Sequence, residues 1–207
     1  MSTKALLVID VQNDVVANAL RTSEVVANID SLIPYCDGLT VARGDLGVEI
    51  PMQDVPLIQK KLIHRAKTAR IPVIVGGRGA KKTPMLAAKY ATEFNMPFVN
   101  SDVFMEQCVR VREACTSIGR DPKTLKYTIA QATVCGANVA EVEQRTKKIG
   151  REVAELSANG LCGTPAQLIA KIQDWKAAGA ETIYMQILDL DDLDHLDLIG
   201  KEVLPHI

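Results

Sequence analysis

The fold is decided by one stretch, Ile71-Pro72-Val73-Ile74-Val75-Gly76-Gly77-Arg78-Gly79, which is followed by Ala80-Lys81-Lys82-Thr83-Pro84. Its apolar, β-branched run, bounded by proline and glycine, is typical of a fully buried parallel strand. We expect Thr83 to supply the oxygen that caps a following helix, and Pro84 to occupy the first helical position, where the fixed φ of proline fits. The stretch therefore predicts a strand, a glycine-rich turn and a helix.

The turn within this stretch has the features of an anion-binding site. Backbone N–H groups in a glycine-rich turn, together with the positive end of the next helix, suit a phosphate group. The residues predicted to contact a phosphate or a phosphate-bearing cofactor are Gly76, Gly77, Arg78, Gly79 and Thr83. Lys81 and Lys82 add positive charge nearby. The alternative is that the glycines serve only the turn, which favours them without any ligand.

Composition bounds the class of protein. A chain of 207 residues with 47% hydrophobic content is long enough for one sizeable core. The net charge of −1 gives no global basic field, so we expect no nucleic-acid partner. Five cysteines without paired spacing favour reduced thiols in the cytoplasm. Asp10 interrupts the first apolar run, so we expect neither a signal peptide nor a membrane span at the N-terminus.

The order of strands and helices predicts an α/β fold. Apolar or β-branched strands are expected near residues 4–10, 38–43, 72–77, 93–99, 126–134 and 181–187. Helical patterns separate them, which favours a parallel sheet with right-handed crossovers. A complete (βα) barrel needs about eight units and about 250 residues. About six units therefore predict a TIM-barrel-derived sheet that is a small barrel, an open sheet or a barrel completed by a second chain.

Residues 1–33 resemble the opening of isochorismatase and nicotinamidase-type cysteine hydrolases. The resemblance lies in Ala5-Leu6-Leu7-Val8-Ile9-Asp10-Val11-Gln12-Asn13-Asp14 and continues through residues 23–29. It implies that Asp10 would work with a lysine and a nucleophilic cysteine. Cys135 is a candidate for that cysteine, but it lacks the surrounding family pattern. The structural alternative is that Cys135 ends a buried strand.

Residues 35–70 resemble pyruvate kinase. The resemblance lies in Asp37-Gly38-Leu39-Thr40-Val41-Ala42-Arg43-Gly44-Asp45-Leu46-Gly47-Val48-Glu49-Ile50-Pro51 and in the helix expected from Val55 to about Ala69. It implies that Asp45 would help to hold magnesium, an ion that prefers several oxygen ligands. The companion glutamate, the catalytic lysine and the threonine of the next strand are not found. A magnesium site formed by Asp10 and Asp45 is the remaining, disfavoured alternative.

Residues 71–207 resemble the C-terminal half of luciferase-like monooxygenases. The resemblance lies in 72–77, 87–95, Gly119-Arg120-Asp121-Pro122, Gly163-Thr164-Pro165-Ala166-Gln167-Leu168 and Ala178-Gly179-Ala180. It implies a (βα) barrel that uses flavin or deazaflavin, with Gly76 and Gly77 close to the cofactor phosphate. The half that normally supplies much of the ring and substrate pocket has no counterpart.

Three family resemblances in one chain predict a chimera of α/β fragments, engineered or generated, that forms a single domain over 1–207 with joins near 34 and 71. Catalysis needs several groups in productive geometry, so we expect a scaffold without an intact active site, keeping at most a weak phosphate-binding turn. The alternative is a flavin- or deazaflavin-dependent oxidoreductase. No resident cofactor is expected, with phosphate, flavin or deazaflavin as alternatives. We also expect self-association into a homo-oligomer.

Three further motifs are interpreted as structural. Residues 189–197 form an acidic run that lacks the glycine and final glutamate of a calcium loop, so it predicts a capped helix with an apolar stripe. Thr164 and Gln167 predict a capping box at a helix start. Trp175 is assigned to packing.

Overall fold

The computed structural model describes residues 39–40 and 55–207 of the chain. The strands are β1 (Leu39–Thr40), β2 (Val73–Gly76), β3 (Glu93–Pro97), β4 (Lys126–Cys135), β5 (Leu161–Gly163) and β6 (Thr182–Gln186). The helices are α1 (Val55–Thr68), α2 (Lys82–Tyr90), α3 (Ser101–Ser117), α4 (Val139–Lys148), α5 (Val153–Asn159), α6 (Pro165–Ala177) and α7 (Leu193–Glu202). Short 3-10 helices span Pro122–Thr124 and Leu204–His206. The chain is therefore an α/β protein in which strands and helices alternate.

Two compact units divide the described residues. One contains the residues up to Phe94 together with Val111–Lys126, and the other contains Asn95–Arg110 together with Tyr127–Ile207. No strand pairing among the described residues closes the sheet into a barrel. The prediction of one domain with joins near residues 34 and 71 stays a prediction.

In the first unit, β1 and β2 form a parallel pair, with Leu39 opposite Val73 and Thr40 opposite Ile74. The predicted buried strand is confirmed, because Val73, Ile74 and Val75 are all buried. Helices α1 and α2 pack on β2. Helix α1 buries Leu62 and Ile63, whereas Leu57 is exposed.

In the second unit, β4 pairs with both β5 and β6. Its C-terminal part pairs in parallel with β5, with Val134 opposite Cys162. Its N-terminal part pairs in parallel with β6, with Ile129 opposite Ile183. An apolar cluster lies between the β4–β5 pair and helices α4 and α5. It consists of Ala132, Val134, Val142, Leu156 and Cys162, with Ile149 and Val153 packed against it.

Five of the six predicted strands correspond to observed ones, and the strand predicted at 4–10 lies outside the described residues. Strand β5 was not predicted, because three residues between Gly160 and Thr164 are too few to show a periodic pattern. The capping box is confirmed, since the Thr164 N–H donates to Gln167 Oε1 at 2.8 Å. The capped acidic helix is also confirmed, since Asp192 accepts from the His195 N–H at 2.9 Å.

Candidate functional site

The predicted phosphate-binding turn lies between the end of β2 at Gly76 and the start of α2 at Lys82. The N-cap residue is Lys81, with φ −122° and ψ −53°, and it makes no side-chain cap hydrogen bond. Lysine carries no side-chain acceptor. The N-cap side chain therefore accepts no hydrogen bond from the backbone N–H groups in the first turn of α2.

The prediction that Thr83 caps this helix and that Pro84 is its first residue is wrong. Helix α2 begins two residues earlier, at Lys82, so Thr83 and Pro84 are its second and third residues. The Met85 N–H donates to the Lys81 carbonyl at 3.4 Å, which closes the first turn. A proline within the first turn removes only an N–H that has no partner inside the helix, so the sequence allows this earlier start.

Two glycines give the turn its path. Gly77 has φ +128°, a conformation that residues with a Cβ rarely adopt. A Cβ added at Gly79 would lie 2.7 Å from Thr83 Oγ1, so the backbone passes close to the threonine hydroxyl. Substitution at Gly77 is strained by its backbone conformation. A Cβ at Gly79 would require the Thr83 hydroxyl to rotate away. The turn therefore needs Gly77, with or without a ligand.

Positive charge surrounds the turn. Arg78, Lys81 and Lys82 are all exposed to solvent. Attraction from exposed charges is screened by salt over about 8–10 Å. These side chains would favour an anion at the turn, and an interaction that relies on them would weaken as ionic strength rises.

The predicted metal residues, Asp10 and Asp45, both lie outside the described residues. Within residues 39–40 and 55–207, no group of three or more histidine, cysteine, aspartate or glutamate side chains is arranged to hold a metal ion. Over the same part of the chain, no helix has the length and apolar content needed to cross a membrane.

A second cluster of polar groups, which the sequence did not reveal, lies at the end of β4. The Cys135 N–H donates to His195 Nε2 at 2.8 Å, and Arg145 Nη1 donates to the Cys135 carbonyl at 2.9 Å. Arg145 Nε also donates to Asp192 Oδ2 at 2.9 Å. The adjoining cavity measures about 10 Å³, roughly the space that one water needs. The cluster thus ties α4 and α7 to the strand end and leaves no room for a substrate.

The thiol of Cys135 is unsuited to nucleophilic chemistry. The side chain is buried, as predicted for a residue that ends a strand. Burial raises the pKa of Cys135 to about 11, so the thiol stays protonated at neutral pH. The thiolate is the reactive form of cysteine, so the residue gives no support to a hydrolase mechanism.

Comparison with known sequences relates the chain to pyruvate kinase. A family model described as "Pyruvate kinase, barrel domain" matches residues 8–87. The pyruvate kinase of Geobacillus stearothermophilus is 56% identical over 156 residues, which cover 68% of this chain and 26% of that protein. The Thermotoga maritima enzyme is 31% identical over 107 residues, covering 52% of this chain and 22% of that protein. The chain thus spans about a quarter of these relatives. The predicted pyruvate kinase resemblance is confirmed, while that of residues 1–33 to isochorismatase stays a prediction.

Comparison with solved structures relates the fold to flavin- and F420-dependent enzymes. An F420-dependent secondary alcohol dehydrogenase superposes with a TM-score of 0.66 at 14% identity, covering 86% of this chain and 74% of the enzyme. The F420-dependent tetrahydromethanopterin reductase of Methanopyrus kandleri gives 0.64 at 13% identity, covering 89% and 80%. A type II Baeyer–Villiger monooxygenase in complex with FMN gives 0.62 at 14% identity, covering 89% and 75%. The likeness supports the predicted luciferase-like fold.

Proposed function

We propose that this chain is a chimeric (βα) scaffold that binds phosphate-bearing ligands weakly at the turn from Gly76 to Thr83 and has no turnover of its own. The observation that carries the proposal is the path of that turn. Gly77 at φ +128° and Gly79 close to Thr83 Oγ1 lead into a helix whose N-cap side chain makes no hydrogen bond. The start of such a helix presents backbone N–H groups and the positive end of the helix dipole to an anion.

The turn suits the phosphate end of a flavin or deazaflavin better than its ring system. Arg78, Lys81 and Lys82 supply charge, while exposed charges contribute little to affinity at physiological salt. We therefore expect dissociation constants of the order of millimolar. Ligand at about ten times its dissociation constant would then stabilise the fold by about 1.4 kcal/mol.

An oxidoreductase function is the second candidate, because proteins with the same fold are described as F420-dependent or as complexes with FMN. If a flavin or deazaflavin were bound, it would supply hydride or electron transfer, and residues 76–83 would hold its phosphate. Loss of deazaflavin absorbance with an alcohol or hydride donor would favour this function. Phosphate binding without such turnover favours the scaffold.

The test of the proposed function is a thermal shift with inorganic phosphate and with flavin mononucleotide. We expect both to raise the melting temperature of the parent and the rise to shrink in Gly77→Val, because valine is strained at φ +128°. Gly119→Ala is the matched control, since Gly119 has φ +74° with nothing within 4 Å of an added Cβ and lies in the same unit. The control should lose stability but keep the ligand-induced shift. An equal shift with chloride at the same ionic strength would contradict a specific site.

We further propose that the protein self-associates. Among the described strands, β6 pairs only with β4, which leaves one edge without a strand partner. Exposed strand edges are commonly covered by pairing, and a net charge of −1 gives little repulsion between copies. Light scattering at micromolar concentration should report a dimer or larger species. A monomer throughout this range would reject the proposal.

A further inference from the structure

A cavity of about 160 Å³ lies within the second unit, away from the glycine-rich turn in sequence and unrelated to the proposed phosphate site. It is lined by residues from the start of α3, the end of α5 and the middle of α6, including Asn100, Ser101, Asn159, Lys171, Asp174 and Trp175. Pockets for drug-sized ligands measure about 300–1,000 Å³, whereas one water needs only about 10–15 Å³. The cavity therefore has the size for a small metabolite of a few heavy atoms.

The lysine in this cavity has unused capacity to bind. Lys171 Nζ donates to the carbonyls of Ser157 and Gly160, the latter at 3.2 Å. An ammonium group has three N–H donors, so one remains. Partial burial lowers the pKa of Lys171, and no carboxylate of the described residues offsets that effect. An incoming carboxylate would stabilise the ammonium charge of Lys171, which burial deprives of part of its hydration.

The same wall also carries a negative charge. Asp174 lies three residues after Lys171 on α6, a spacing that puts both side chains on neighbouring parts of one helix surface. Within the described residues, the Asp174 carboxylate forms neither an ion pair nor a side-chain hydrogen bond, and the residue is exposed. Trp175, which is 8% exposed and packs edge-on against Phe104, supplies a rigid apolar surface beside the two charges.

We propose that this cavity binds a small zwitterion of the free α-amino acid class, with the ligand carboxylate at Lys171 and the ligand ammonium at Asp174. A simple anion would pair with Lys171 but be repelled by Asp174. A simple cation would pair with Asp174 but be repelled by Lys171. A molecule with both charges a few bonds apart satisfies both groups. Ser101 and the positive end of α3 add further stabilisation for the carboxylate.

The first test is a calorimetric or NMR titration of the full chain with L-alanine. Acetate and methylammonium, titrated at the same ionic strength, each carry one of the two charges. We expect saturable alanine binding and binding of each single-charge analogue that is weaker by about tenfold or more. Acetate binding as tightly as alanine would overturn the zwitterion assignment, and a parent that shows no saturation with alanine would overturn the site.

The second test uses variants of the two charged residues. Lys171→Met should weaken alanine binding by about tenfold or more, although it also removes a partner of the α5 carbonyls. Asp174→Asn changes an exposed side chain and should weaken alanine binding while leaving acetate binding unchanged or stronger. Lys176→Met, an exposed lysine on the same helix, is the matched control and should bind alanine as the parent does. Unchanged alanine binding in folded Asp174→Asn would overturn the proposal.

Discussion

Replacing Phe104 by alanine is expected to lower the free energy of unfolding by about 3–5 kcal/mol. Phe104 on α3 has no exposed surface, and its ring meets that of Trp175 on α6 with the centroids 5.8 Å apart and the planes at 82°. Edge-to-face pairs add about 0.5–1.5 kcal/mol to the burial of the rings themselves. Alanine would remove the pair and leave a cavity within the second unit.

The measurement is urea denaturation followed by tryptophan fluorescence, because Trp175 is the single tryptophan of the chain and reports directly on this contact. Phe104→Leu should lose less stability than Phe104→Ala, since it leaves a smaller cavity. The matched control is Met105→Ala on the next residue of the same helix, whose side chain is 41% exposed. A loss in Phe104→Ala no larger than that in Met105→Ala would contradict the assignment of this pair to the core.

The strand–turn–helix unit around Gly76 was largely predictable because its signals are local. A β-branched run bounded by glycine specifies a buried strand through the side-chain pattern alone, and Val73 to Val75 are buried. The start of α2 was predicted too late in the chain, because Thr83 and Pro84, which were interpreted as start signals, are also compatible with positions inside the first turn. Local signals thus identify the elements and leave their ends uncertain by one or two residues.

The features that sequence reasoning missed depend on contacts between distant elements. An apolar stripe was predicted for α7, yet Leu193 and Leu196 on this helix are 69% and 45% exposed, while His195 is buried. A histidine belongs in that position because the Cys135 N–H, sixty residues away, donates to its ring. The cavity beside Lys171 is likewise assembled from three helices. No spacing within one segment carries such information.

The second large effect is a loss of stability as the pH falls below about 6.5, the usual pKa of histidine. Burial lowers the pKa of His195, and the nearby Arg145 guanidinium lowers it further, against the weaker opposing effect of Asp192 and Asp189. The unfolded chain therefore binds a proton at a higher pH than the folded chain does. The stability that the neutral His195 contributes is fully present above the pKa that this histidine has in the unfolded chain. It declines as the pH falls from there towards the lower pKa of the folded chain.

The structural reason is the hydrogen bond that protonation breaks. His195 Nε2 accepts from the Cys135 N–H at 2.8 Å, so the neutral ring carries its proton on Nδ1. A proton on Nε2 would face that N–H donor and bring a second positive charge beside Arg145, which Asp192 and Glu141 hold in place. Asp189, which is paired with Lys148, offsets that charge only in part, and the neutral Cys135 thiol does not offset it.

Urea denaturation at a series of pH values between about 4.5 and 7.5, around the usual histidine pKa, should show this decline in the parent. His195→Gln should be less stable at neutral pH and show a flatter profile, because glutamine does not titrate. His64→Gln, at an exposed position on α1, should keep the profile of the parent. A further decline belongs to Asp192, whose pKa the hydrogen bond from Arg145 lowers, and it should appear only below about pH 4. If His195→Gln kept the full decline between pH 6.5 and 5, the titrating group would have to be another one, and the buried histidine would contribute only its hydrogen bond to Cys135.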